Sequence, residues 1–333
     1  MMEKYSNKAL RKASNYNSAM LLLFLILVLA GQIILSLIFY FLKVNEDVQR
    51  LVLFSYQYLV CVPVPILLFR LTKSGKEAPK LKECLCRPKQ SAWWIVRWIF
   101  ICLFLIYASS IASNIFFSIL QMLLGTELHP IDMSAENNAV SRFTNIFAMV
   151  ILAPVFEEIL MRGTFLRNTG RYGTWSAIFT SAVMFGLWHM NYEQEIYAAV
   201  MGICSGFLLV KTQSLIPSII LHMSMNTIGA VQSLFIGNID MEKMQSGDSA
   251  YIMEHFADVM PLMACGMIIL LSSATGFVML ILEIILHRES FRIEPKCSEA
   301  SELKKFAVYF TAPVTIVLVL ILIGITVLNA SSV

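Results

Sequence analysis

About nine stretches of roughly 15 to 33 residues, each nearly free of charge, recur along the chain and constrain its fold more than any other feature. A helix needs about 20 predominantly apolar residues to cross the hydrocarbon core of a bilayer. Only 14% of the 333 residues are charged and 58% are hydrophobic, whereas soluble domains carry about a quarter charged residues. The expected fold class is therefore all-α, a polytopic transmembrane helical bundle of eight or nine spans. The net charge of +3 is too small to point to nucleic acid. The bilayer itself is the expected partner.

The expected spans are 18–42, 51–69 (kinked near Pro63 and Pro65), 92–124, 143–166, 174–190, 196–210, 215–236, 261–286 and 306–328. The first is too long for a signal-peptide core and reads as a span. A basic loop from Arg70 to Gln90 separates the second from the third. Acidic loops carry Glu127, Asp132 and Glu136, and later Asp240, Glu242, Asp248, Glu254 and Asp258. With the N-terminus in the cytoplasm, only Lys43, Arg50, Arg142 and Lys243 of the 25 Lys and Arg residues fall on the far side. Excess Lys and Arg in cytoplasmic loops is the usual bias, so span count and orientation support each other. The expected division is 1–142, an N-terminal part with three spans; 143–236, a core of four; and 237–333, a C-terminal pair. The layout suggests an integral protein of a bacterial plasma membrane.

Against this apolar background the run Pro154-Val155-Phe156-Glu157-Glu158-Ile159-Leu160-Met161-Arg162 stands out. Ionisable groups at membrane depth are expensive and read by default as functional. Two histidines join them, His189 in Phe185-Gly186-Leu187-Trp188-His189 and His222 in His222-Met223-Ser224-Met225-Asn226. Residues four apart share a helix face, which pairs His222 with Asn226, Phe185 with His189, and Glu158 with Arg162 in the favourable acid-first order. Neighbouring Glu157 and Glu158 point about 100° apart, which suggests Glu157 toward a cavity and Glu158 toward Arg162. Ideal helices place Glu157 about 17 Å and His189 about 24 Å from the turn they share. His222 and Asn226 lie about 10–17 Å beyond their own connection, so the depths disagree. Pro154 is expected to kink the helix near the site.

Blander readings apply to the rest. Glu158 with Arg162 also fits a structural bridge. Arg97 and Glu283 lie near span ends, where they can snorkel, and are given no role. Gly202-Ile203-Cys204-Ser205-Gly206 reads as a small-residue packing face. Four of the seven cysteines lie in apolar segments, and Cys84 and Cys86 form a CxC without a second Cys/His pair to complete a zinc site.

Two histidines and a carboxylate are a usual catalytic zinc set, with a second carboxylate as base. The same groups work without metal if Glu157 activates water, aided by His189, while His222 and Asn226 donate to an oxyanion. Both schemes hydrolyse an amide. The spacing Glu157-Glu158-x-x-x-Arg162, Phe185-x-x-x-His189, His222-x-x-x-Asn226, with Ala153-Pro154 and Arg162-Gly163 beside it, resembles the three-motif signature of the CAAX prenyl endopeptidase and bacteriocin-processing (CPBP or Abi) family over about 143–235. The resemblance implies a membrane-embedded metallo-endopeptidase. Its site would be Glu157, Glu158, Arg162, His189, His222 and Asn226. His189, His222 and Glu158 would be ligands of a divalent metal, zinc being the expected ion. It transfers no substrate; peptide precursors, leader peptides or membrane-protein segments fit a bacterial source. A non-catalytic immunity or scaffold protein of the same fold is the alternative, and a proton-coupled transporter the second.

Overall fold

The computed structural model describes residues 6–125, 139–237, 239–294, 297 and 299–331. Glu127, Asp132 and Glu136 of the first acidic loop lie outside the described residues, as does the side chain of Glu242 in the second. The described residues form helices and no strand. Among the described residues, eight helices are long and apolar enough to cross a membrane: α1 Asn7–Leu42, α2 Glu46–Leu71, α3 Ala92–Leu123, α4 Arg142–Thr169, α6 Tyr192–Thr212, α7 Ile216–Ile236, α8 Phe256–Leu286 and α9 Pro313–Ser331. Between α4 and α6 lies α5, Thr174–Trp188, apolar but only 15 residues long. At 1.5 Å per residue it rises about 22 Å, short of the ~30 Å hydrocarbon core.

Side-chain caps fix several starts. Ser6, Asn45, Ser91 and Asn191 accept backbone N–H groups in the first turns of α1, α2, α3 and α6, satisfying donors that a helix cannot pair internally. Asn191 starts α6 at Tyr192, earlier than expected, so Glu193 and Glu195 sit in its first turn, where the helix dipole favours them. The ninth span starts later than expected, at Pro313. A separate helix, Glu302–Phe310, precedes it and buries Lys305 against Glu302 (2.7 Å). The acidic stretch after α7 contains two short helices, Met241–Ser246 and Ser249–Glu254.

Small residues let the central helices approach. A Cβ at Gly202 of α6 would fall 2.6 Å from Ala182 Cα of α5, and one at Gly186 would fall 2.4 Å from the Glu195 carbonyl oxygen. The packing-face reading of Gly202 and Gly206 agrees with this contact. Arg97 and Glu283 do not snorkel independently: they pair across α3 and α8 at 3.4 Å, with the Glu283 side chain fully buried. The basic loop folds over the α6–α7 connection, with Leu215 N donating to Cys84 O (2.8 Å) and Ser214 Oγ to Cys86 O (2.6 Å). Both cysteines are free. Here the CxC pair is part of a bracket that holds the start of α7.

Proline shapes two spans in the same way. In α2 a π-helical turn, Gln57–Cys61, precedes Pro63; in α4 another, Ala148–Leu152, precedes Pro154. Proline donates no N–H, so the ladder is already interrupted where the wider turn forms. A second π segment, Ile159–Leu166, follows Glu158.

Candidate active site

Phe185 is the hub on which the three motifs converge. Its fully buried ring carries the Arg162 guanidinium 4.1 Å from its centroid, and His189 and His222 meet it edge-on at 4.8 and 5.7 Å. A desolvated cation over an aromatic face is worth about 2 kcal/mol or more. The groups that ideal helices set at different depths meet here, since Glu157 and His189 line one cavity and Phe185 touches Arg162, His189 and His222; His189 is the C-terminal cap of α5.

The two glutamates separate as their angular spacing suggests. Glu158 is fully buried, and its Oε1 lies 3.3 Å from both Arg162 Nη1 and His222 Nδ1. Glu157 keeps 27% of its side chain exposed, with Oε2 3.8 Å from His222 Nε2. His222 thus faces one carboxylate with each ring nitrogen. His189 places Nδ1 2.8 Å from the Phe185 carbonyl oxygen, so that nitrogen carries the proton and Nε2 is left as the free acceptor. Its orientation is fixed further by a left-handed Met190 (φ 49°) whose carbonyl accepts from Asn329 Nδ2 at 2.9 Å.

Asn226 is placed differently. Its Nδ2 donates to Met149 O at 2.7 Å. In the π turn Ala153 N reaches Ala148 O, so the next donor in that register would be residue 154, and its acceptor would be Met149 O. Pro154 has no N–H to give. Asn226 supplies the missing bond across the α4–α7 interface.

A cavity of about 240 Å³ opens beside these groups. Its wall includes Glu157 and His189, with Gln57 and Tyr58 from the π turn of α2 and apolar side chains of α1, α2, α4 and α5. Neither His222 nor Asn226 is part of that wall. Gln57 and Tyr58 escape motif reading, because nothing in an apolar helix marks a polar residue as cavity-facing until its partner span is known. The π turn before Pro63 is the only local signal.

The expected ligand set of His189, His222 and Glu158 is not gathered around one point in this arrangement. Glu158 Oε1 is engaged by Arg162 and His222, and among the described residues no three His, Cys, Asp or Glu side chains gather as a metal-binding group.

Residues 139–228, which include all three motifs, match the family model described as Rce1-like, type II CAAX prenyl endopeptidase Rce1-like. The match agrees with the resemblance that the three motifs carry. No curated protein and no solved structure matches the chain.

Proposed function

From a segment that stands at family level with the CAAX-type intramembrane proteases, we propose that this chain is a membrane-embedded endopeptidase acting on a membrane-associated peptide or protein, with Glu157 as the general base. The observation that carries the reading is the division of the two carboxylates: Glu157 opens into the cavity, whereas Glu158 is pinned by Arg162 and His222.

Water between Glu157 and the free Nε2 of His189 gives up a proton to Glu157 as its oxygen attacks the peptide carbonyl. The carbonyl electrons move to oxygen. When the C–N bond breaks, the leaving nitrogen takes the proton held by Glu157. His222, close to both carboxylates, positions Glu157; Arg162, seated on Phe185, holds Glu158 in place. The apolar walls suit a peptide presented from within the bilayer, such as a leader peptide or the hydrophobic segment of a membrane protein.

In the same reading the N-terminus and the basic loop face the cytoplasm of a bacterial plasma membrane. A divalent metal, zinc foremost, is retained as a proposal on the chemistry of His189 and His222. Stoichiometric zinc lost in both His189→Ala and His222→Ala would support it, and fully active protein without metal would overturn it.

The test of the activity is Glu157→Gln. Its side chain keeps its volume but cannot accept the water proton, so turnover should fall by about 10²–10⁴-fold with an unchanged unfolding temperature. Comparing the cellular peptides of this variant with wild type should reveal accumulated precursors. Identical peptide profiles and identical cleavage by purified protein would overturn the reading in favour of a non-catalytic relative.

A further inference from the structure

We infer that the Tyr58 hydroxyl is a catalytic hydrogen-bond donor, which stabilises the oxyanion formed in the cavity of Glu157. The inference rests on the peptidase reading and adds to it a residue from α2, outside the matched segment 139–228.

Any hydrolysis of this kind places negative charge on the carbonyl oxygen, and a donor must meet it. Asn226, the natural candidate from the motif, has its amide directed to Met149 O and is not in the cavity wall. His222 is likewise outside that wall, with its ring turned to Glu158 and Glu157. His189 is in the wall, but its protonated nitrogen faces the Phe185 carbonyl. The wall donors that remain are the Tyr58 hydroxyl, the Gln57 amide and the Trp188 indole N–H.

Tyr58 is singled out by three observations. It is 7% exposed, and a buried tyrosine ordinarily gives its hydroxyl a protein partner; among the described residues the Tyr58 hydroxyl makes no hydrogen bond, and Tyr58 lines the cavity. It lies within electrostatic reach of Glu157. Its ring packs on Phe156, the residue before Glu157, at 5.5 Å between centroids, so phenol and base are held by one contact. The π turn Gln57–Cys61 widens α2 where this residue faces α4.

In the proposed step the water oxygen bonds to the carbonyl carbon and the π electrons pass to the carbonyl oxygen. The Tyr58 O–H donates a hydrogen bond to that oxygen and keeps its proton. When the tetrahedral species collapses, the C–N bond breaks and nitrogen takes the proton from Glu157. Tyr58 emerges unchanged.

The experiment uses full-length protein in proteoliposomes and one peptide that wild type cleaves, drawn from a synthetic library of apolar peptides. Tyr58→Phe keeps the ring on Phe156 and removes only the oxygen. Loss of one oxyanion donor lowers kcat by about 10²–10³-fold, and KM should stay within about threefold. The same variant should bind a phosphinate analogue of that peptide more weakly by a similar factor, while the affinity for the uncleaved peptide in a Glu157→Gln background stays constant. The phosphinate measurement needs no turnover, and the unfolding temperature identifies a misfolded variant; Gln57→Leu then serves as the control for loss of a different cavity donor. Wild-type kcat in Tyr58→Phe, with Glu157→Gln inactive, would overturn this inference and leave the peptidase standing. A raised KM at unchanged kcat would overturn it too. Wild-type cleavage by both variants would overturn the peptidase reading itself.

Discussion

Asn226 looks like a polar residue waiting for a ligand, yet its amide closes a bond that Pro154 cannot make. A buried carbonyl without a partner costs about 1–3 kcal/mol. Asn226→Leu should therefore destabilise the protein by about that amount, even in a form that carries no substrate. Pro154→Ala returns a donor to the π turn. If Met149 O is the shared acceptor, the two substitutions should couple by about 0.5–3 kcal/mol in a double-mutant cycle read by reversible unfolding in detergent. Strict additivity would show that the contact carries no energy. The motif spacing made the shared face of His222 and Asn226 legible. It did not distinguish a side chain aimed at substrate from one aimed at a neighbouring backbone, because both require the same polar residue at the same helical position. The separation of Glu157 from Glu158 was legible for the opposite reason: adjacent helical residues cannot point one way.

Among the elements, the contact between α5 and α6 controls where His189 stands. Gly202 lies against the backbone of Ala182, and a side chain there must push the helices apart. Gly202→Leu should lower the unfolding temperature and the activity together, in line with the roughly 1–3 kcal/mol or more of an overpacked core. Gly324 of α9 has nothing within 4 Å of an added Cβ, and Gly324→Leu should leave both unchanged. Equal behaviour of the two variants would dismiss the close contact. Apolar run length located α5 but not its end. The run continues past Trp188, and what stops the helix is tertiary: Met190 turns left-handed while Asn329 of α9 holds its carbonyl. Arg97 and Glu283 escaped for a related reason, since two charges near span ends look independent until the packing of α3 on α8 brings them together. The late start of α9 is explained locally by Pro313, which begins a helix more readily than it continues one.

The whole molecule places the basic loop, the connection after α6 and the segment after α8 on one face. Lys89 N donates to Thr212 O there, and Lys211 Nζ to Arg292 O. If that face is cytoplasmic, exposed Cys86 reports it, because five of the other cysteines are buried and Cys297 is half-buried on the same face. A membrane-impermeant maleimide should label Cys86 in inside-out vesicles and spare it in intact cells. Labelling from outside intact cells would reverse the orientation. The π turns of α2 and α4 have a further consequence at this scale. Each turn puts the residues before it out of phase with those after it, as if one amino acid had been inserted into an otherwise continuous helix. Both insertions sit two positions before a proline, and they lie in the two spans whose Tyr58 and Phe156 rings touch. In α4 this frees the part beyond Pro154, with Glu157, Glu158 and Arg162, from the phase of the part before it; in α2 the turn itself brings Gln57 and Tyr58 to the cavity.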